Sequence, residues 1–167
     1  MPQKRVCGTC TACCKTHQVL SIEKPGGEWC RHCEIGVGCR IHAQRPGECQ
    51  DFKCQWLMGY GEDNERPDIT QVVIDFCVLK PTGQKTVSLW EVEPGSLKSF
   101  FVQEETRKLF WQRIPLLHIY LDGRQILQVP PETDLSAKSI GDLSKAGVEI
   151  FRYPPIRTNP RVCSGGF

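Results

Sequence analysis

Apolar residues recur with a structural period only beyond about residue 68 of this chain. Val72-Val73-Ile74-Asp75-Phe76-Cys77-Val78-Leu79 is a β-branched and aromatic run, and Thr86-Val87-Ser88-Leu89-Trp90-Glu91-Val92 alternates with a period of two. Pro81-Thr82-Gly83-Gln84 supplies a turn between them, so the two runs predict a hairpin. Cys77 shares a strand face with Val73, Asp75 and Leu79, the setting of a small buried thiol rather than a ligand. Pro94-Gly95-Ser96 leads into a helix over 97–113, with Ser96 as cap and Glu104 four residues before Lys108; Pro115 stops it. Leu116–Leu121 and Arg124–Val129 then flank Asp122-Gly123, a hairpin signal that favours a type I′ turn. That register puts Leu117, Ile119, Leu121 and Ile126 on one face. It leaves His118 on the other, with Tyr120, Gln125 and Leu127, as a residue of the sheet surface.

Residues 130–167 are rich in turn formers, with one short helix near Ser139–Ala146, and Cys163 lies in a Gly- and Ser-rich setting that suits a spectator thiol. The polar stretch Gly61-Glu62-Asp63-Asn64-Glu65-Arg66-Pro67-Asp68 marks a boundary. The expected fold is therefore α+β. An irregular cysteine-rich metal-binding module over 1–60 precedes a small antiparallel β-sheet domain over 68–167, ordered β-β-α-β-β with one main helix and an irregular tail.

What sets the first third apart is its cysteines. Nine of eleven fall within 54 residues, at Cys7, Cys10, Cys13, Cys14, Cys30, Cys33, Cys39, Cys49 and Cys54. Thiolates favour zinc, copper(I) and iron–sulfur clusters over hard cations, so this clustering points to metal. A disulfide framework would call for an oxidising compartment; the N-terminus Met1-Pro2-Gln3-Lys4-Arg5-Val6-Cys7 carries no apolar leader and the cysteine count is odd. The expectation is a cytoplasmic protein. No segment approaches the roughly 20 apolar residues of a membrane span.

Cys7-Gly8-Thr9-Cys10 and Cys30-Arg31-His32-Cys33 are two CxxC knuckles with nineteen residues between Cys10 and Cys30, which fits a zinc template. Cys7-x2-Cys10-x2-Cys13 equally matches the first three ligands of a ferredoxin run, although the fourth ligand and its proline are absent. Zinc, as two or more ions, and an iron–sulfur cluster both stand, because nine thiols exceed the four that one tetrahedral ion uses. His17, His32 and His42 are read as surface residues beside the knuckles rather than ligands. Arg45-Pro46 turns the chain so that Cys49 and Cys54 return toward the knuckles.

The net charge of +2 is too small to imply nucleic acid, and residues 1–54 lack the aromatic interleaving of a base-stacking surface. Within those residues eight Lys/Arg oppose five Asp/Glu. Lys4, Arg5, Lys15, Arg31, Arg40, Arg45 and Lys53 are the cations expected to neutralise an anionic thiolate cluster.

Taken in order, CGTCTACC, Cys30, Gly38-Cys39-Arg40-Ile41-His42, Arg45-Pro46-Gly47-Glu48-Cys49 and Phe52-Lys53-Cys54-Gln55-Trp56-Leu57 resemble the YkgJ-type cysteine-cluster family, the zinc- or iron-chelating CxxCxxCC domain. The resemblance covers about residues 7–57 and implies a small bacterial cytosolic metal chelator. Its eight-cysteine pattern falls on Cys7, Cys10, Cys13, Cys14, Cys30, Cys39, Cys49 and Cys54; Cys33 is extra, and His42 stands where tyrosine is usual. A related motif in flagellin lysine N-methylases offers only a remote analogy, those chains being much longer.

The chain has no GxxxxGK[ST] loop, HExxH helix, GxSxG elbow or complete GxGxxG fingerprint. Two function classes follow. One is a non-catalytic metal-binding module whose β-rich half offers a surface to a protein partner; the other is a redox or metal-handling protein with an iron–sulfur cluster.

Overall fold

The computed structural model describes residues 5–79, 83–131 and 133–153. Lys4, Pro81, Thr82 and Cys163, used above, lie outside them. The first third is built from single turns and very short elements: α1 (Cys13–Thr16), a two-stranded antiparallel ribbon of β1 (Cys33–Glu34) and β2 (Gly38–Cys39), α2 (Gly47–Asp51) and α3 (Pro67–Thr70). A five-stranded sheet follows, of β3 (Val72–Leu79), β4 (Gln84–Glu91), β5 (Leu116–Ile119), β6 (Gln125–Val129) and β7 (Val148–Arg152), its strands in chain order. The α+β class is as expected. No helix among the described residues is long and apolar enough to cross a membrane.

The sheet is mixed rather than antiparallel. β3/β4 and β5/β6 are antiparallel hairpins, but β4/β5 and β6/β7 pair in parallel. The cause is the connections: α4 (Phe100–Trp111) links β4 to β5 and α5 (Ala137–Lys145) links β6 to β7, and a helical crossover returns the chain to the end where it started. The order is thus β-β-α-β-β-α-β: α5 is the short helix expected near Ser139–Ala146, and β7 is one strand beyond the expected set. Ser136 starts α5 by accepting from the Ser139 amide at 3.1 Å, and Gly147, at φ 77°, ends it. Val148-Glu149-Ile150 then alternates as a strand should.

Helix α4 begins later than expected. Ser96–Lys98 is a separate 3-10 turn, and Ser99 is the cap, accepting from the Val102 amide at 3.4 Å. Val102, Glu105, Thr106 and Leu109 form its buried face at helical spacing.

The Asp122-Gly123 turn is also different. Gly123 has φ 87°, but Asp122 is not among the described residues with positive φ, so the loop is not type I′. Gly123 N donates to Tyr120 O and Tyr120 N to Arg124 O, both at 3.0 Å, a three-residue loop ending in a left-handed glycine. Ile119 therefore faces Gln125, not Ile126, and the one-residue shift turns every β6 side chain over. Leu127 faces Leu117 in the core, and His118 lies beside Ile126, only 3% exposed, rather than on the sheet surface.

One face of the sheet (Val72, Ile74, Val87, Leu89, Leu116) packs on Leu97, Val102 and Leu109. The other divides: Leu79, Leu117, Leu127, Val129 and Val148 meet Leu135 and Leu143, while Val73 and Val92 meet Ala12 with half-buried Cys10, Phe52, Cys54 and Trp90. The cysteine-rich segment is therefore seated on the sheet. Gln55 N donates to Ile74 O at 2.9 Å, and Arg5 donates to the carbonyls of Trp56, Tyr60 and Gly61. Tyr60 extends this docking to α4, its hydroxyl donating at 2.5 Å to buried Glu105.

His118 carries a testable consequence of its burial. Nε2 has no hydrogen-bond partner among the described residues, and burial pushes its pKa down to about 4. The unfolded imidazole binds its proton near pH 6.5 and the folded one does not, so this contribution to stability is present above pH 6.5 and lost as pH falls toward and through 4. The loss amounts to about 3 kcal/mol, from the size of the shift. Urea unfolding of His118→Leu between pH 7 and 4.5 is expected to show a flatter pH dependence than the native chain; parallel profiles would contradict this.

Candidate metal centre

The nine cysteines fall into two groups, each built by local backbone geometry. In the first knuckle Cys10 N donates to Cys7 O at 2.9 Å, a tight turn that Gly8 permits at φ 54°. Cys54 reaches the same place from a distance, packing with Cys10 against Ala12, Val73 and Val92. In the second group Cys33 N donates to Cys30 O at 2.9 Å, and Cys30 N to Cys14 O at 3.0 Å, which ties the second knuckle to α1. Cys39 stands directly opposite Cys33 across the β1/β2 ribbon. Thr11 anchors that ribbon by accepting from the Gly36 amide, and α2, which carries Cys49, is held by Ser21 donating to Glu48.

All ten described cysteines are free thiols; Cys7 is exposed and the others half-buried. Among the described residues no three His, Cys, Asp or Glu side chains converge on a ready metal position. The donor chemistry suits a soft metal. Burial pushes Cys10 up to about 11, with Asp68 and Cys54 adding to it, and pushes Cys33 up to about 12, with Cys14 next. Cys14 is raised most, first by its hydrogen bond with Cys13 and then by burial. Cys49 and Cys54 are raised chiefly by burial. A metal must therefore displace protons to bind here.

The cations beside these thiols are not those expected from sequence. Lys15 pairs with Glu93 at 3.0 Å, Arg40 with Glu34 at 3.5 Å, Arg31 donates to His32, Arg45 contacts His42, and Arg5 serves the carbonyls above. Lys53 is exposed. Instead Lys24, 5% exposed, lies in the field of Cys30, Cys14, Cys13 and Cys49, its ammonium donating to Lys15 O at 2.8 Å and to His17 O. Burial lowers its pKa and those thiols oppose the shift. Arg66, held to Asp68 at 2.6 Å, lies in the field of Cys10 and Cys7. Each thiol group thus has its own cation. The Val19–Lys24 bridge, with Val19 N to Lys24 O at 2.9 Å, fixes Lys24, and no sequence motif announces it.

His17 is not the surface residue expected: it is half-buried, and its Nε2 is buried with no hydrogen-bond partner among the described residues. Its ring lies tilted against Phe52 at 3.9 Å and Trp90 at 4.6 Å, with Nδ1 on Thr16 Oγ1 at 2.7 Å. Burial, then Lys24, pushes its pKa down to about 4. His32 and His42 engage their arginine neighbours. Cys77 is half-buried on β3, raised by burial and Asp75 and hydrogen-bonded to Ser88.

Comparison of the chain with protein-family models, curated proteins and solved structures finds no match.

Proposed function

We propose that the N-terminal third is a metal-chelating module that holds zinc, as two or more ions, through Cys7, Cys10, Cys13, Cys14, Cys30, Cys33, Cys39, Cys49 and Cys54. The observation that carries this reading is Lys24. An ammonium buried to 5% exposure, with two carbonyls for partners and four thiols around it, is unbalanced while those thiols stay protonated. Metal-bound thiolates supply the missing negative charge. The resemblance to the YkgJ-type family points the same way, and thiolate ligation suits a cytoplasmic, reducing setting. The module is non-catalytic in this reading, and the β-rich half presents a surface to a protein partner; membrane and nucleic acid are not invoked.

An iron–sulfur cluster with a redox or metal-handling role is the alternative, favoured by the Cys7-x2-Cys10-x2-Cys13 run. Colour separates the two, since zinc thiolates do not absorb in the visible and iron–sulfur clusters are brown. Metal analysis of anaerobically purified variants tests the site itself. Cys10→Ser is expected to lose at least one metal ion per chain, because a hydroxyl is a far weaker ligand for these metals, and Cys77→Ser none. Equal loss from both would show that the sheet shares the site.

A further inference from the structure

We infer that the cysteines form two unlike metal centres, and that the centre of Cys7, Cys10 and Cys54 keeps an open fourth position for a small external ligand, water or a soft anion. The inference rests on the metal reading above and goes beyond it in assigning donors and a ligand class.

The division follows from the chain's own geometry. Cys54 meets Cys10 on the sheet through Ala12, Val73 and Val92, whereas Cys14, Cys30, Cys33 and Cys39 are linked by the Cys30 N to Cys14 O bond and the facing positions on β1 and β2. Cys13 is engaged with Cys14 in the field of Lys24. That leaves three thiols for the first centre and six for the second. Four thiolates close a structural zinc site; three leave a position for an outside ligand.

The surroundings agree with an open position. Cys7 is exposed, so this centre borders water. The Arg66 guanidinium lies over the knuckle, Nη1 being 3.6 Å from where a Cβ on Gly8 would stand and Nη2 donating to Thr9 Oγ1 at 3.3 Å. Asp68, a carboxylate close to Cys10, is held bidentate by Arg66 at 2.6 and 2.7 Å. The second centre has Lys24 instead of Arg66, buried and committed to two carbonyls.

Cobalt(II) reconstitution of the reduced full chain tests this, with azide as the external ligand. The native chain is expected to bind two or more cobalt ions and to change its d–d absorption when azide is added. Cys7→Ser, an exposed position that leaves the core untouched, should lose one equivalent of cobalt and the whole azide response while the remaining thiolate-to-cobalt absorption persists. Cys54→Ser should do the same, and Cys39→Ser should keep the azide response. Loss of all cobalt from Cys7→Ser, an azide response surviving in it, or a native chain indifferent to azide would overturn the two-centre assignment while leaving chelation standing. A native chain that takes up no cobalt would instead overturn the metal reading.

Discussion

Lys24→Glu is expected to abolish the folded cysteine-rich segment. The native side chain is an ammonium at 5% exposure that donates to the carbonyls of Lys15 and His17. A carboxylate there would face two acceptors and the thiols of Cys13, Cys14, Cys30 and Cys49, with no donor to satisfy it. Breaking a buried, hydrogen-bonded charge of this kind costs roughly 3–5 kcal/mol. Arg40→Glu is the control: its side chain is 66% exposed and pairs with exposed Glu34, where about 1 kcal/mol or less is at stake. Denaturant unfolding followed by tryptophan fluorescence compares them, and a Lys24→Glu midpoint close to that of Arg40→Glu would remove the structural role given to Lys24.

Metal withdrawal is the second large effect. Residues 5–54 contain few apolar side chains in regular elements; their helices and strands run from two to five residues, too short to persist alone. A strong chelator is therefore expected to release this segment while the sheet, with its two separate cores on α4 and α5, stays folded. Trp90 reports the event, since it lies against His17 in the core shared with Cys10 and Cys54. Its emission should move to the red, and limited proteolysis should cut between residues 5 and 54 before the sheet. Native circular dichroism and protease resistance retained by metal-free protein would contradict the coupling.

These effects also mark where the sequence was legible. The β3/β4 hairpin was readable because Val72–Leu79 and Thr86–Val92 carry β-branched residues at a period of two, and the cysteine set because nine soft donors crowd 54 residues. The β5/β6 register was not, because Asp-Gly serves a type I turn with a left-handed glycine as readily as a type I′ turn, and the two differ by one residue. His118 was misplaced because both faces of β5 are covered: it shares its side with Leu116, on the face that α4 packs against. Strand β7 was overlooked although Val148 and Ile150 alternate with Glu149 and Phe151; it needs α5 to bring it beside β6 in parallel, a long-range condition. Lys24 and Arg66 were invisible as partners of the thiols, since a turn at Val19–Lys24 and the docking of Arg66 against Thr9 set their directions, and neither follows from spacing. The split of the thiols is likewise tertiary. Cys54 joins Cys10 only because Val73 and Val92 offer both a common surface.

The most direct measurement is native mass spectrometry of the full chain purified without air, followed by alkylation of the accessible thiols. Nine N-terminal thiols are too many for one tetrahedral ion, which would strand five of them. The expected mass is that of the chain with at least two zinc ions, or with an iron–sulfur cluster with or without zinc, and with the N-terminal cysteines protected from alkylation. A metal-free chain, or a single zinc with five N-terminal thiols open to alkylation, would contradict the account.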